Sequence, residues 1–298
     1  MLKPSGIIPA MVTPFTDKDE LNEPVVRQMV NYFIESGVHG IFCLGTNGEF
    51  FSMNEAEKLL LVQIAVEESG GRVPIYAGAG GITTREAATL AAKFEQVGAD
   101  ALSIITPYFV PVSQQEMVQH YKSIAASTSL PILLYNIPAR TGVSLAPQTV
   151  EALSKVPNIV GIKDSSGNFD AILEYIERTD PDFAVMAGTD SLILATLMAG
   201  GSGAVAATAN IVPKLVVSIY EHWLKGELEL AKQAQMKLRP IRNASQLGTL
   251  PSAFKAAMNM LGIPVGSTRL PVGAISDNAK EELKQILQLY SAGEGLHL

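Results

Sequence analysis

The chain has 298 residues, 47% of them hydrophobic and 17% charged, which excludes disorder and admits either two domains or one α/β barrel with an addition. With 22 Lys+Arg against 29 Asp+Glu and a net charge of −7, no basic face is available for a phosphate backbone, so nucleic acid is excluded as a partner. Cys43 is the single cysteine, allowing neither a disulfide nor a CxxC zinc pair, and a cytoplasmic setting is expected.

Pro4, Pro9 and Pro14 interrupt the apolar start of the chain, so no secretory signal is expected. Short apolar runs then follow at residues 7–12, 40–44, 73–77, 101–105, 132–135, 159–162, 183–187 and 203–206. None alternates apolar with polar residues, the pattern of parallel strands buried on both faces. Amphipathic segments predict helices between them at 23–36, 54–69, 84–97, 114–127, 147–155, 169–177, 191–198 and 213–223. Ser113 with Glu116 is a capping-box pattern, and Pro147 and Pro213 suit first helical positions. Strand starts recur every 20 to 33 residues. Eight such units predict a (β/α)₈ TIM barrel over residues 1–225. Residues 226–298 read as a C-terminal helical extension, with helices near 228–245, 250–261 and 278–289.

The 23 residues from 191 to 213 carry no charge, long enough on paper to span a bilayer. Gly200-Gly201-Ser202-Gly203 at its centre reads instead as a corner between a helix and a strand, and no membrane association is expected. That glycine cluster is alternatively a phosphate cradle. Gly78-Ala79-Gly80-Gly81 does not complete a dinucleotide fingerprint. The four histidines have no ligand spacing, so no metal is expected.

Barrel chemistry sits at the carboxyl ends of the strands. Lys163 closes one apolar run there. Burial disfavours the charged form of a lysine and leaves free amine able to attack a carbonyl. The alternative is a lysine paired with Asp164 or reaching solvent. Tyr135 ends the preceding strand, either as a proton relay or as a core tyrosine. Gly45-Thr46-Asn47-Gly48-Glu49 offers donors for a carboxylate, or is simply a tight turn. Arg140 suits a second anionic group, or a surface ion pair.

Gly45-Thr46-Asn47-Gly48-Glu49, Tyr135-Asn136-Ile137-Pro138, Arg140-Thr141-Gly142 and Gly161-Ile162-Lys163-Asp164-Ser165-Ser166-Gly167 together closely resemble the dihydrodipicolinate synthase / N-acetylneuraminate lyase family. The match runs from Gly6-Ile7-Ile8-Pro9 to Arg269-Leu270-Pro271, nearly the whole chain. The resemblance implies a homotetramer and class I aldolase chemistry with no metal or organic cofactor. It makes Lys163 the Schiff-base lysine for pyruvate, Tyr135 the proton relay, and Thr46 the hydroxyl linked to that tyrosine. Asn47 stands beside the pyruvate carboxylate, and Gly188 and Val205 line its pocket. Arg140 matches the residue that holds the carboxylate of aspartate semialdehyde, and Tyr108 joins the substrate-binding set.

Two departures matter. Asn47 stands where the synthases usually have a second threonine, and Phe109 where they have a tyrosine that reaches a neighbouring subunit's site. Both point toward an aldolase or dehydratase for 2-oxo-3-deoxy sugar acids or 4-hydroxy-2-oxo acids. Arg140 points to the synthases, and a non-catalytic 2-oxo acid binding protein is the remote alternative. The positions that bind inhibitory lysine in regulated synthases hold Phe50, Glu55, Lys58 and Ile82, so no lysine inhibition is expected.

Overall fold

A computed structural model describes residues 2–291. Its strands are β1 (Gly6–Pro9), β2 (Ile41–Cys43), β3 (Ile75–Gly78), β4 (Ala101–Ile105), β5 (Ile132–Asn136), β6 (Ile159–Asp164), β7 (Ala184–Ala187) and β8 (Gly203–Ala206). All pair in parallel in the order β1-β8-β7-β6-β5-β4-β3-β2. A bridge between Ala10 and Phe42, with the Met11 N–H donating to the Phe42 carbonyl at 3.0 Å, closes the ring. This is the predicted barrel.

Every strand residue except Val160 is buried, which is why the runs read as continuously apolar. Period-two alternation sorts them between two cores. Ile8, Phe42, Tyr76, Leu133, Tyr135 and Met186 fill the lumen. Ile7, Ile41, Leu134, Ile162 and Val185 face the helices, in a core where each buried aliphatic side chain contributes about 1.5–3 kcal/mol.

The covering helices are α1 (Glu23–Glu35), α2 (Glu55–Ser69), α3 (Thr84–Gln96), α4 (Gln114–Ala125), α5 (Pro138–Thr141), α6 (Pro147–Leu153), α7 (Phe169–Arg178), α8 (Ile193–Met198) and α9 (Pro213–Leu224). Ser113 and Glu116 form the expected capping box, and Pro147 and Pro213 open their helices. The uncharged run becomes a 3₁₀ turn, α8, β8 and a second 3₁₀ turn. Among the described residues no helix is long and apolar enough to cross a membrane.

The appendage consists of α10 (Leu228–Lys237), α11 (Arg239–Ala244), α12 (Ser252–Met260) and α13 (Asp277–Gln288). α10 packs on α9, while α11 and α12 reach the 3₁₀ turns that follow β7 and β8, bringing appendage residues to the carboxyl end of the barrel.

Two readings need correction. The segment 228–245 is not one helix, because Pro240 lacks an N–H and begins a new one after Lys237. β1 stops at Pro9 rather than Val12, because the Val12 N–H is taken by the Asn210 side chain at 3.0 Å. The cluster Gly200–Gly203 is the expected corner, and its alternative as a phosphate cradle falls away. Gly200 has φ +105°, a Cβ at Gly203 would lie 2.1 Å from the Gly6 carbonyl oxygen, and the corner precedes β8, at the opposite end from the strand carboxyl termini.

His120, on α4, is buried against α3 with Nδ1 2.9 Å from Thr84 Oγ1, and burial pulls its imidazole down to about 4. Between that value and the ordinary one near 6.5 the unfolded chain takes up a proton that the folded site refuses, so stability is lost as pH falls through this window. At pH 5 the loss is about 2 kcal/mol. In thermal melts, His120→Gln is expected to lose less stability than wild type between pH 7 and pH 5; equal losses would contradict this.

Candidate active site

The site is built on β5 and β6, where Tyr135 pairs in register with Lys163. Alternation turns both into the lumen and sends their neighbours Asn136 and Asp164 outward. Asp164 accepts from Asn136 Nδ2 at 2.7 Å and from the Ser166 N–H at 3.1 Å. Burial raises its carboxyl above the usual range despite those bonds. Pairing of Lys163 with Asp164 is therefore ruled out, because the two side chains leave opposite faces of one strand.

Lys163 is 4% exposed, so it does not reach solvent either. Its Nζ lies 3.9 Å from the centroid of the Tyr135 ring and 4.9 Å from that of Phe42. No ion pair or hydrogen bond to Lys163 exists among the described residues. Tyr135 Oη is 3.2 Å from Thr46 Oγ1, placing a linked pair of hydroxyls beside the amine.

Thr46 and Asn47 stand on the turn after β2. The turn is closed by the Glu49 N–H donating to the Thr46 carbonyl at 3.2 Å and braced by Thr13 Oγ1 donating to the Gly48 carbonyl at 2.6 Å. It is thus a tight turn and a presenter of polar groups together. Asn47 is buried, and its amide oxygen has no hydrogen-bond partner among the described residues. A ligand that satisfies this amide, or accepts from its NH₂ group when turned, gains a bond that costs little reorganisation.

These groups share a cavity of about 190 Å³. Arg140, at the C-terminal turn of α5, also lines it and makes no ion pair among the described residues. Gly188 and Val205 form part of its wall. A side chain at Gly188 would collide with Ser165 Oγ at 2.1 Å and the Asp164 carbonyl at 2.8 Å. Tyr108 does not line this cavity. It is half-buried, with its ring edge-on to Phe50 at 6.2 Å. Phe109 beside it is 86% exposed with φ +77°.

Residues not singled out from the sequence complete the wall. Arg242 of α11, Ser245, Leu250 and Phe254 come from the appendage, so Arg242 is a further cation on the cavity besides Lys163 and Arg140. Asp190 lies buried on the same wall, accepting from the Thr208 N–H at 2.7 Å and Thr208 Oγ1 at 2.6 Å. Burial holds its carboxyl above the usual range, opposed by those bonds and by Lys163. Asp190 stands two positions after Gly188, whereas nothing local marked Arg242. Among the described residues no group of three or more His, Cys, Asp or Glu side chains could hold a metal ion.

A buried, unpaired lysine facing a tyrosine–threonine pair and a polar turn is equipped to attack a carbonyl, move protons at the adduct and hold an adjacent carboxylate. The 4-hydroxy-tetrahydrodipicolinate synthase of Methanopyrus kandleri is 39% identical over 95% of both chains. One from Halalkalibacterium halodurans is 40% identical over 93% of this chain and 94% of its own. The solved dihydrodipicolinate synthase of Thermotoga maritima superposes with a TM-score of 0.95 at 34% identity, covering 99% of this chain and 100% of its own. A prophage protein of the dihydrodipicolinic acid synthase family from E. coli K12, solved in complex with pyruvate, gives 0.91 at 32% identity, over 95% and 97%. Residues 3–290 match the Dihydrodipicolinate synthetase family, and with the barrel, the lysine and its hydroxyl partners in place, the chain belongs to that family.

Proposed function

We propose that this protein is a 4-hydroxy-tetrahydrodipicolinate synthase, a Schiff-base lyase that condenses pyruvate with aspartate semialdehyde and needs no further cofactor. The observation that carries the reading is Lys163, buried and unpaired, with the Tyr135–Thr46 pair beside it. The amine adds to the pyruvate ketone, and Tyr135 protonates the departing hydroxyl so that water leaves and an imine forms. The protonated imine acidifies the methyl carbon, whose proton passes to the Tyr135 oxygen, and the resulting enamine attacks the aldehyde carbon of the second substrate, whose oxygen takes that proton up. Thr46 and Asn47 hold the pyruvate carboxylate. Attack of the bound product's amino group on the imine carbon closes the ring and frees Lys163.

Arg140 holds the carboxylate of the second substrate, assisted by Arg242. Arg140→Ala is expected to raise KM for aspartate semialdehyde roughly 10- to 100-fold, the scale of one charge-assisted bond, while pyruvate adduct formation is unchanged. Arg242→Ala acts in the same direction with a smaller effect. A matching rise in the pyruvate KM for either variant would contradict these assignments.

Asn47 and Phe109 favour a second reading, an aldolase or dehydratase that releases pyruvate from 2-oxo-3-deoxy sugar acids or 4-hydroxy-2-oxo acids. Phe109 brings no hydroxyl, so the relay consists of Tyr135 and Thr46. Turnover of aspartate semialdehyde with pyruvate, measured against pyruvate release from those acids, separates the two readings. The synthase reading requires the first to exceed the second.

Exposed Phe51, Ile82, Phe109 and Val110, on the loops after β2, β3 and β4, support a homo-oligomer, proposed as a tetramer in the cytoplasm. Sedimentation at micromolar concentration tests that state. Lys58 Nζ lies 5.9 Å from the Phe50 ring, so the patch already carries a cation where inhibitory lysine would bring another. Addition of millimolar L-lysine is expected to leave the rate unchanged, and inhibition at that level would contradict the expectation.

A further inference from the structure

The turn that presents Thr46 and Asn47 is anchored far along the chain. Glu49, which closes it, has φ +52°, a left-handed conformation that a long side chain keeps only when its surroundings enforce it. The side chain supplies that enforcement. Glu49 has no accessible surface, its Oε1 is 2.6 Å from Lys255 Nζ, and its Oε2 accepts from the Arg269 N–H at 3.0 Å. Lys255, on α12 and 1% exposed, also donates to the Ser267 carbonyl at 2.8 Å and lies 4.3 Å from the Phe15 ring. The Arg269 guanidinium stacks on that same ring at 4.0 Å, pairs with Glu57 and donates to the Ser52 carbonyl at 3.0 Å. Burial draws the Lys255 amine down to about 8, against the pull of Glu49.

A buried ion pair is poor evidence of stabilisation, because desolvating both charges offsets most of their attraction and apolar replacements are often as stable. This pair does something an apolar contact does poorly: it directs one carboxylate, and through it one backbone turn. We infer that Lys255 is a positioning residue for the reaction, fixing through Glu49 the turn on which Thr46 and Asn47 meet the pyruvate carboxylate. The helical appendage thereby sets the geometry of the first substrate's pocket as well as contributing to the wall for the second. This assignment rests on the Schiff-base reading above.

The test titrates pyruvate against borohydride-trapped adduct by intact mass, in wild type, Lys255→Met and the double variant Glu49→Gln/Lys255→Met, alongside KM for the second substrate. The double variant leaves no buried charge stranded, so it keeps the fold testable. The expected result is a double variant that melts near wild type yet needs roughly tenfold or more pyruvate for half-maximal adduct, since small misplacement from a remote site carries penalties of that size. Its KM for the second substrate is expected to change less than about twofold. A folded double variant that titrates like wild type would overturn the assignment, as would equal losses for both substrates. A wild-type protein that traps no pyruvate would instead overturn the Schiff-base reading.

Discussion

Lys163→Ala is expected to abolish turnover, by roughly 10⁴-fold or more, while the protein still folds. A covalent nucleophile has no substitute in the cavity, and removing one acts on that scale. The fold survives because Lys163 Nζ rests against the faces of Tyr135 and Phe42, and the buried Asp190 carboxyl on which it acts keeps its hydrogen bonds from Thr208. Lys163→Arg is the sharper control. It places a long basic side chain over the same rings but supplies no nucleophilic amine, and is expected to be as inactive as the alanine variant. Thermal melting separates loss of chemistry from loss of structure. A folded Lys163→Ala protein with more than about a hundredth of wild-type kcat/KM would contradict the assignment.

Tyr135→Phe is the second large effect, an expected fall in kcat of roughly 10²- to 10⁴-fold, the range spanned by general acid–base groups. Phenylalanine preserves the ring under Lys163 and its edge-on contact with Phe42 at 6.2 Å, so only the hydroxyl and its link to Thr46 are lost. The pyruvate adduct should still form, but slowly, and borohydride trapping over time resolves the two steps. Thr46→Val is expected to show a smaller decrease together with a raised pyruvate KM, because that hydroxyl serves both the relay and the carboxylate. A Tyr135→Phe variant slowed less than tenfold would remove the tyrosine from the proton path.

The barrel was legible because parallel strands buried on both faces write themselves as uninterrupted apolar runs, and Lys163 was legible as the one charge ending such a run. The choice between Lys163 facing the lumen and pairing with Asp164 was open on residue types alone. Strand register settles it, because adjacent residues point to opposite faces. Tyr108 was harder to place, since its position depends on the path of the loop through Phe109, a left-handed residue that nothing in its chemistry announces. Arg242 and Lys255 were illegible for another reason. Each acts on a part of the barrel distant in sequence, and only the packing of α11 and α12 over the strand ends brings them there. The segment 228–245 was read as one helix although it contains Pro240, and the structure breaks it there and presents Arg242 on the second piece.

The central claim concerns one amine among two buried ones, since Lys255 is also withheld from solvent. Lys255 is held by Glu49 and the Ser267 carbonyl away from the cavity, and Lys163 is free within it. Reduction of the protein–pyruvate mixture with borohydride, followed by peptide mapping, distinguishes them. The account predicts a single pyruvate-derived adduct on the peptide containing Lys163. An unmodified Lys163, or an adduct carried by Lys255 or any other lysine, would contradict it.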